Sequence, residues 1–194
     1  MTADAWLVRH ASTAWTGSRW LGNRDLPLTA AGRAEAAAAA VRLAAGVPPG
    51  TTVVSSPARR ALETAAPIAE RLRVRVRVDR DLREVDVGRA EGLTWDEVRR
   101  DLPELAAALI DGRPVDWPGG ESAAALRSRV GNAWARIGAR REPAVIVVGH
   151  AGVIAAIVAS LLPGSDPTWL GPASALRVRH ASGAWQVDAV EPGS

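Results

Sequence analysis

The residues best suited to chemistry stand near the start of the chain, where Arg9 and His10 follow the short apolar segment 6–8. Such a segment is typical of a strand, and a strand end is a rigid place to mount a side chain. Imidazole is a nucleophile near neutral pH, and a guanidinium group presents a planar set of donors to phosphate oxygens. The pair therefore indicates phosphoryl chemistry on histidine. The alternative is a core strand that ends on two polar surface residues.

Two more polar clusters follow predicted strands. Ser55 and Ser56 end a short apolar segment and lead into a predicted helix that carries Arg60, and His150 follows the unbroken apolar run 144–148. An unbroken apolar run is typical of a central strand that is covered on both faces. In a parallel sheet the carboxyl ends of the strands lie on one edge, where α/β proteins bind ligands. The three clusters are therefore expected to meet in one site.

The elements that must position these residues alternate between strands and helices. The predicted strands are 5–9, 52–55, 73–79, 144–148, 175–180 and 184–190, and the predicted helices are 30–45, 57–72, 94–111 (as one helix or two), 121–141 and 153–162. Thr29 and Ser56 are expected to cap the first two helices. This order predicts a three-layer α/β/α sandwich with a mainly parallel central sheet. We expect one domain over residues 1–194, with a small helical cap-like segment around 85–120.

Composition narrows the function classes. All 24 basic residues are Arg, the net charge is only +3, and no basic cluster stands out, so no nucleic-acid partner is expected. The chain has no Cys and three His, which argues against disulfides, a metal site or another bound cofactor. The first residues do not read as a signal peptide, and the apolar segment 151–162 is too short to span a bilayer. A cytoplasmic protein with no membrane partner is expected.

Six sequence blocks in order resemble the histidine phosphatase superfamily, the phosphoglycerate-mutase-like proteins. They are Leu-Val-Arg-His-Ala-Ser-Thr at 7–13, Asp-Leu-Pro-Leu-Thr with Gly32 at 25–32, Ser-Ser-Pro-Ala-Arg-Arg-Ala with Thr64 and Ala65 at 55–65, Leu-Arg-Glu with Gly88, Glu91 and Gly92 at 82–92, Pro-Gly-Gly-Glu-Ser at 118–122, and Val-Val-Gly-His-Ala-Gly-Val-Ile at 147–154. The resemblance implies the phosphoglycerate-mutase-like α/β fold and metal-independent phosphoryl transfer.

The resemblance also implies roles for five residues. His10 is the expected nucleophile, with its other ring nitrogen held by an acceptor such as a backbone carbonyl. Arg9 and Arg60 are expected to bind the nonbridging phosphoryl oxygens, and His150 to contact the same group. Glu84 is the expected general acid and base. The neighbours Arg59 and Asp86 miss the family spacing and are the less favoured candidates.

Substrate contacts are expected at Thr16, Gly22 and Ala151. Thr16 stands where the family commonly has asparagine, and Ala151 stands where it commonly has glycine. Two further departures lie beside the nucleophile: Ala11 replaces a glycine, and Ser12 stands where an acidic residue is common. The tryptophans form two further groups. Trp15, Trp20, Trp95 and Trp117 lie in segments expected to rim the site, although core filling is the favoured reading, and Trp6, Trp134 and Trp185 are expected in the core.

The favoured function is hydrolysis of a small-molecule phosphomonoester through phosphohistidine. Only 36 residues lie between Glu84 and Glu121, which resembles the compact phosphatase branch that includes α-ribazole phosphatase and broad-specificity phosphatases. Two alternatives stay open. One is a phosphoglycerate-type mutase, and the other is a phosphoester-binding protein whose activity is impaired by the departures at Ala11, Ser12 and Thr16. Compact members of the family commonly dimerise, so monomer and homodimer both remain open.

Overall fold

A six-stranded mixed sheet forms the centre of the computed structural model, which describes residues 4–140, 142–164, 170–182 and 184–191. The strands are β1 (Asp4–Arg9), β2 (Thr52–Ser55), β3 (Val76–Val78), β4 (Val145–Gly149), β5 (Ala175–Ala181) and β6 (Ala184–Glu191). Their order across the sheet is β3-β2-β4-β1-β5-β6. The first four strands in that order are mutually parallel, and β5 and β6 join antiparallel. The predicted α/β fold with a mainly parallel sheet is confirmed.

Six α-helices accompany the sheet in the part of the chain that the structure describes. They are α1 (Ala30–Gly46), α2 (Arg59–Leu72), α3 (Trp95–Asp101), α4 (Pro103–Ile110), α5 (Ala123–Gly138) and α6 (Ala151–Leu161). Helices α1 and α2 pack together on one face of the sheet, and α5 and α6 pack together on the other. Two single 3₁₀ turns, at Arg80–Leu82 and Gly88–Ala90, shape the loop between β3 and α3.

The alternation of side chains along the strands divides the core into two halves. Along β1, Trp6 packs with the α1 and α2 side chains, whereas Leu7 packs with those of α5 and α6. The whole run Val145–Gly149 is buried because β4 has helices on both faces. Burial on both sides holds the carboxyl ends of β1 and β4 firmly, and these ends carry the polar clusters.

Most predicted elements are present with small changes at their ends. Thr29 caps α1, as predicted, because its side chain accepts the backbone N–H of Gly32. The strand predicted at 73–79 is reduced to Val76–Val78, although it does lie at the sheet edge. The reason is that Arg73 adopts a left-handed conformation (φ 55°) and ends α2 by donating its N–H to the last carbonyls of that helix. Arg141, the end of a predicted helix, and Gly183, in a predicted turn, lie outside the described residues.

The prediction that Ser56 caps α2 is wrong. The helix begins at Arg59 and follows Ala58, which makes no side-chain cap. The backbone N–H of Ser56 instead donates to Val148 O (2.9 Å), so strand-like pairing with β4 continues past the end of β2. This continuation delays the helix by two residues and places the Ser56 hydroxyl in the polar centre described below.

A smaller apolar cluster lies outside the sheet layers, within the segment 85–120. Its buried members are Val85, Val87, Ala90, Val98, Leu102, Leu105 and Ala106, and Trp20 and Trp117 pack against it. The region predicted as one or two helices at 94–111 consists of α3 and α4, which meet at Leu102. Within the described ranges, no helix is long and apolar enough to cross a membrane.

Candidate active site

The three polar clusters meet at one edge of the sheet. Strand β4 lies between β1 and β2, and its register pairs Arg9 with Gly149 and Ser55 with Val148. The next residue on each strand is therefore His10, His150 or Ser56, and these three are buried side by side. The convergence predicted from parallel strand ends is confirmed by this register.

His10 is held as a neutral ring. Its Nδ1 lies 2.8 Å from Ala11 O, and a carbonyl can only accept, so Nδ1 carries the hydrogen and Nε2 keeps its lone pair. The ring is only 5% exposed. Burial, together with the positive charge of Arg60, lowers the pKa of His10 to about 3. A buried imidazole with a free Nε2 is suited to nucleophilic attack.

Arg9 and Arg60 are each anchored to backbone carbonyls. Arg9 Nη1 donates to Leu170 O (2.7 Å). Arg60 is 1% exposed, and its two terminal nitrogens donate to Arg24 O and Gly22 O, each at 2.8 Å. These bonds fix both guanidinium groups at the edge of a cavity that also contains His10. Gly22, predicted as a substrate contact, lines the same cavity and orients Arg60 through its carbonyl.

His150 is completely buried and stands edge-on to His10, with a distance of 5.2 Å between ring centroids. Its Nε2 lies 2.7 Å from the Ser56 hydroxyl. That hydroxyl also accepts the N–H of Ala58 (3.3 Å) and can donate its own hydrogen to His150 Nε2. In that arrangement the hydrogen of the neutral His150 ring is on Nδ1. Burial, then the nearby charge of Arg60, lowers the pKa of His150 well below its usual value.

Three buried polar atoms around His10 have no hydrogen-bond partner. They are Arg9 Nε, Arg60 Nε and His150 Nδ1, and the fourth such atom among the described residues, Arg42 Nε, belongs to another part of the fold. Buried donors are nearly always paired in proteins, so a cluster of unpaired ones requires an explanation. Three donors around one nucleophile form a cradle for an anion with several oxygens.

Glu84 lies on the same cavity. The N–H of Val85 donates to its Oε1 (2.9 Å), and the N–H of Gly152, in the first turn of α6, also donates to this carboxylate. A Cβ on Gly152 would come within 2.8 Å of Oε1, so the approach depends on glycine at that position. Burial raises the pKa of Glu84 in spite of these bonds and the charge of Arg60. A carboxyl group with a raised pKa is suited to proton transfer.

The network that holds Glu84 in place includes Arg129, which the sequence analysis did not single out. Arg129 is 8% exposed and forms a bidentate pair with Glu121, with both N–O distances at 2.6 Å. Its guanidinium also donates to the carbonyls of Asp81 and Arg83 (2.7 Å each) and of Glu84 (3.2 Å). These bonds satisfy three backbone carbonyls of the segment 81–84, which does not pair with a strand. The eight-residue spacing from Glu121, within the fifth sequence block, was the available signal.

Replacing Arg129 by methionine is expected to lower both stability and activity. The change removes the bidentate partner of Glu121, which keeps only the longer pair with Arg83 (3.9 Å). It also frees three carbonyls beside Glu84, and the combined cost is about 3 kcal/mol. We expect kcat/KM for an alkyl phosphate to fall about tenfold, as expected when a supporting contact of a positioned group is lost. Urea unfolding and steady-state kinetics measure the two effects. The control is Arg136→Met on the same helix, whose exposed pairs with Asp79 and Asp81 are expected to contribute under about 1 kcal/mol. Equal effects of both variants would contradict the positioning role of Arg129.

The remaining predicted contacts also reach the cavity, which has a volume of about 160 Å³. Thr16 and Ala151 both line it. The Thr16 hydroxyl accepts the N–H of Thr13 (2.8 Å) and is hydrogen-bonded to the Thr13 hydroxyl (3.1 Å), where either oxygen can be the donor. Ala151 begins α6, where helix N–H groups lack intrahelical partners. All three predicted substrate contacts therefore line the same cavity as Glu84, His10, Arg9 and Arg60.

The departures beside the nucleophile are accommodated by the surrounding residues. Ala11 is fully buried and packs with Leu28 and Ala39, and its N–H donates to the Thr64 hydroxyl (3.0 Å). The backbone N–H and the hydroxyl of Ser12 both donate to Glu35, at 2.8 Å each. A carboxylate from α1 thus supports the loop at the position where the family commonly has an acidic residue.

The less favoured candidates lie away from the reacting atoms. The side chain of Arg59 is 60% exposed and pairs with Glu63 at 2.6 Å. Asp86 is exposed and accepts the N–H of Gly88.

Trp15, Trp20 and Trp117 line the cavity, whereas Trp95 is exposed beside Trp20. Trp20 and Trp117 also pack against the apolar cluster of the segment 85–120, so both expectations hold for these two side chains. Within the described ranges, no group of His, Asp and Glu is placed to hold a metal ion.

The lowered pKa of His10 predicts a pH-dependent loss of stability. An unfolded His takes up a proton near pH 6.5, but folded His10 does so only near pH 3. The unfolded state therefore binds more protons between these values, and stability falls as the pH is lowered. From pH 7.5 to 5.5 the loss due to His10 is roughly 1 kcal/mol. Urea unfolding of wild type and His10→Gln at both pH values measures this loss of stability. The stability contribution of Glu84 changes with pH in the opposite sense, and it is present in both proteins. Identical pH dependence in the two proteins would contradict the prediction.

Comparison with known proteins agrees with this architecture. The family model described as histidine phosphatase superfamily (branch 1) matches residues 5–191. The chain belongs to the histidine phosphatase superfamily. It is 35% identical over 191 residues to glucosyl-3-phosphoglycerate phosphatase of Mycobacterium tuberculosis, covering 92% of this chain and 85% of the relative. It is also 33% identical over 187 residues to a metal-independent phosphoserine phosphatase of Arabidopsis thaliana, covering 94% of this chain and 78% of the relative.

A solved structure extends the likeness to the whole fold. The native structure of mycobacterial glucosyl-3-phosphoglycerate phosphatase superposes with a TM-score of 0.83 at 31% identity and covers 98% of this chain and 99% of that one. The family and its phosphatase members therefore support phosphatase activity for this chain.

Proposed function

We propose that the protein hydrolyses small-molecule phosphomonoesters through a phosphohistidine formed on His10. The observation that carries the proposal is the set of unpartnered nitrogens on Arg9, Arg60 and His150 around a neutral His10. Three donors match the three nonbridging oxygens of a phosphoryl group, and two of them carry full positive charge. Fixed cations of this kind stabilise the charge that develops as the phosphoryl group is transferred.

In the proposed reaction these groups act in two steps. The lone pair of His10 Nε2 attacks phosphorus, the bond from phosphorus to the ester oxygen breaks, and Glu84 gives its proton to the leaving oxygen. Water then attacks the phosphorus of the phosphohistidine while Glu84 takes a proton from that water. The N–P bond breaks and inorganic phosphate leaves. The raised pKa of Glu84 suits both steps, since the group must hold the proton first and accept one later.

The names of the relatives provide the first compounds to test. We expect release of inorganic phosphate from p-nitrophenyl phosphate in the presence of a chelator, and we would assay phosphoserine and 3-phosphoglycerate beside it. Interconversion of 3- and 2-phosphoglycerate without phosphate release would identify a mutase instead. Saturable binding of these esters with neither reaction would identify a phosphoester-binding protein.

A further inference from the structure

The uncharged part of the cavity is built of indole and aliphatic side chains. Its members are Trp15, Trp20, Leu21, Val85, Val87 and Trp117. Trp20 and Trp117 meet edge to face, with ring centroids 5.2 Å apart. Each indole offers a large apolar surface at low entropic cost, and paired aromatic rings favour a third ring beside them. This wall is suited to an apolar or ring-shaped leaving group.

A second acidic group on the substrate would find no free cation in this cavity. Among the described residues, the cations that line it are Arg9, Arg60 and Arg19. Arg9 and Arg60 face the phosphoryl position. Arg19 is partly exposed, and its Nη1 donates to Gly92 O (2.6 Å) and lies 3.6 Å from the Glu97 carboxylate, so a substrate carboxylate would have to compete with Glu97 for it. A carboxylate on the leaving group would lose water against indole rings without gaining an ion pair, which is costly.

The space for the leaving group extends beyond the cavity that contains His10, because its volume of about 160 Å³ also has to hold the phosphoryl group. A second cavity of about 280 Å³ adjoins it and shares Val85, Trp117 and Gly152. Arg113 and Arg127 line this second cavity and not the one that contains His10. Substituents on a ring could extend past Trp117, while the ring itself lies against the indoles.

We propose that the leaving group is an uncharged alcohol or phenol that carries an apolar ring, bound against Trp20 and Trp117. The inference rests on the proposed phosphatase function and specifies its substrate class. It separates this chain from relatives named for phosphoglycerate-type and phosphoserine substrates, whose leaving groups carry a carboxylate.

The test compares esters whose leaving groups are all alcohols, so that intrinsic reactivity does not decide the outcome. The panel is benzyl phosphate, n-propyl phosphate and 3-phosphoglycerate, assayed by phosphate release with a chelator present. We expect kcat/KM for benzyl phosphate to exceed that for n-propyl phosphate by about tenfold or more, because binding of the ring contributes in the transition state. We expect 3-phosphoglycerate to be the poorest of the three.

Two variants test whether the indole wall is responsible. Trp117→Leu is expected to lower kcat/KM for benzyl phosphate about fivefold and to change that for n-propyl phosphate less than twofold. Activity toward n-propyl phosphate also reports that the variant is folded, and Trp20→Leu repeats the test if Trp117→Leu does not fold. The matched control is Trp95→Leu, since Trp95 is 37% exposed, lies beside Trp20 and does not line the cavity. It is expected to leave the ratio unchanged.

The outcomes separate the two proposals. Phosphate release from none of the esters would overturn the phosphatase function itself. Hydrolysis of n-propyl phosphate or 3-phosphoglycerate as efficiently as benzyl phosphate would overturn the ring preference and leave the function standing. Equal losses on all esters in both wall variants, or a loss of ring preference in Trp95→Leu, would also overturn the role of the wall.

Discussion

Replacing His10 by alanine is expected to abolish phosphate release and, with it, the labelling of the protein by substrate phosphate. Removing a nucleophile that works with its supporting groups costs at least about 10⁴-fold in kcat. The neutral ring with its free Nε2 and the unpartnered donors of Arg9, Arg60 and His150 form one reacting unit, so the remaining groups cannot replace it. The measurement is rapid quenching with radiolabelled ester, followed by analysis for acid-labile, base-stable phosphohistidine.

The control for this experiment is His180→Ala. His180 lies on β5 against Trp185, with ring centroids 5.3 Å apart, and does not line the cavity. The variant is expected to keep both the label and the activity. A His10→Ala protein that still acquires acid-labile label, or that retains more than about one per cent of activity, would show that another residue accepts the phosphoryl group.

Replacing Glu84 by glutamine is expected to have an effect that depends on the leaving group. An alkoxide is a poor leaving group and needs a proton from the acid, so kcat/KM for an alkyl phosphate is expected to fall by about 10²–10³-fold. p-Nitrophenolate leaves readily without protonation, and its ester is expected to lose less than about tenfold in kcat/KM. Breakdown of the phosphohistidine also needs Glu84 as a base, so a burst of p-nitrophenol followed by a slow steady state is expected.

Asp86→Asn is the matched control, because Asp86 is a neighbouring carboxylate that is exposed and bonded only locally to the N–H of Gly88. It is expected to leave both kinetic constants within about twofold, since a surface residue outside the site contributes little. If Glu84→Gln lowers kcat/KM equally for aryl and alkyl esters, Glu84 supports the site but does not protonate the leaving group. If Asp86→Asn shows the dependence on leaving group instead, the acid has been assigned to the wrong carboxylate.

Patterns along the chain predicted most of the framework. The apolar runs that end at Arg9 and Gly149 were recognised as strands because burial on both faces of a parallel sheet demands continuous hydrophobicity. The start of α2 was less well predicted. A Ser-Pro pair is a good local signal for a helix start, but the backbone pairing of Ser56 with Val148 takes precedence over it. Local propensity cannot anticipate a hydrogen bond to a strand almost a hundred residues away.

The supporting residues of the site show the same limit. Arg129 and Glu35 looked like ordinary charged residues on helices, and only packing brings them to the Glu84 segment and to Ser12. The indoles of Trp20 and Trp117 pack against the apolar cluster of the segment 85–120 and also line the cavity. Their contact with each other and with the cavity depends on how the segment 85–120 folds over the sheet edge.

Residue patterns along the chain were enough to predict the α/β framework, the family resemblance, and the candidate nucleophile with its two arginines, second histidine and acid. Each of these predictions depends on the pattern of apolar residues along a segment or on a short sequence block. The folded chain was needed to show that His10 is buried with its Nδ1 on a carbonyl, that Ser56 contacts His150, that Arg129 bonds to the Glu84 segment, and that three indoles line the cavity. Burial and hydrogen bonds between distant residues set protonation and orientation, and these depend on distances that the order of residues does not contain.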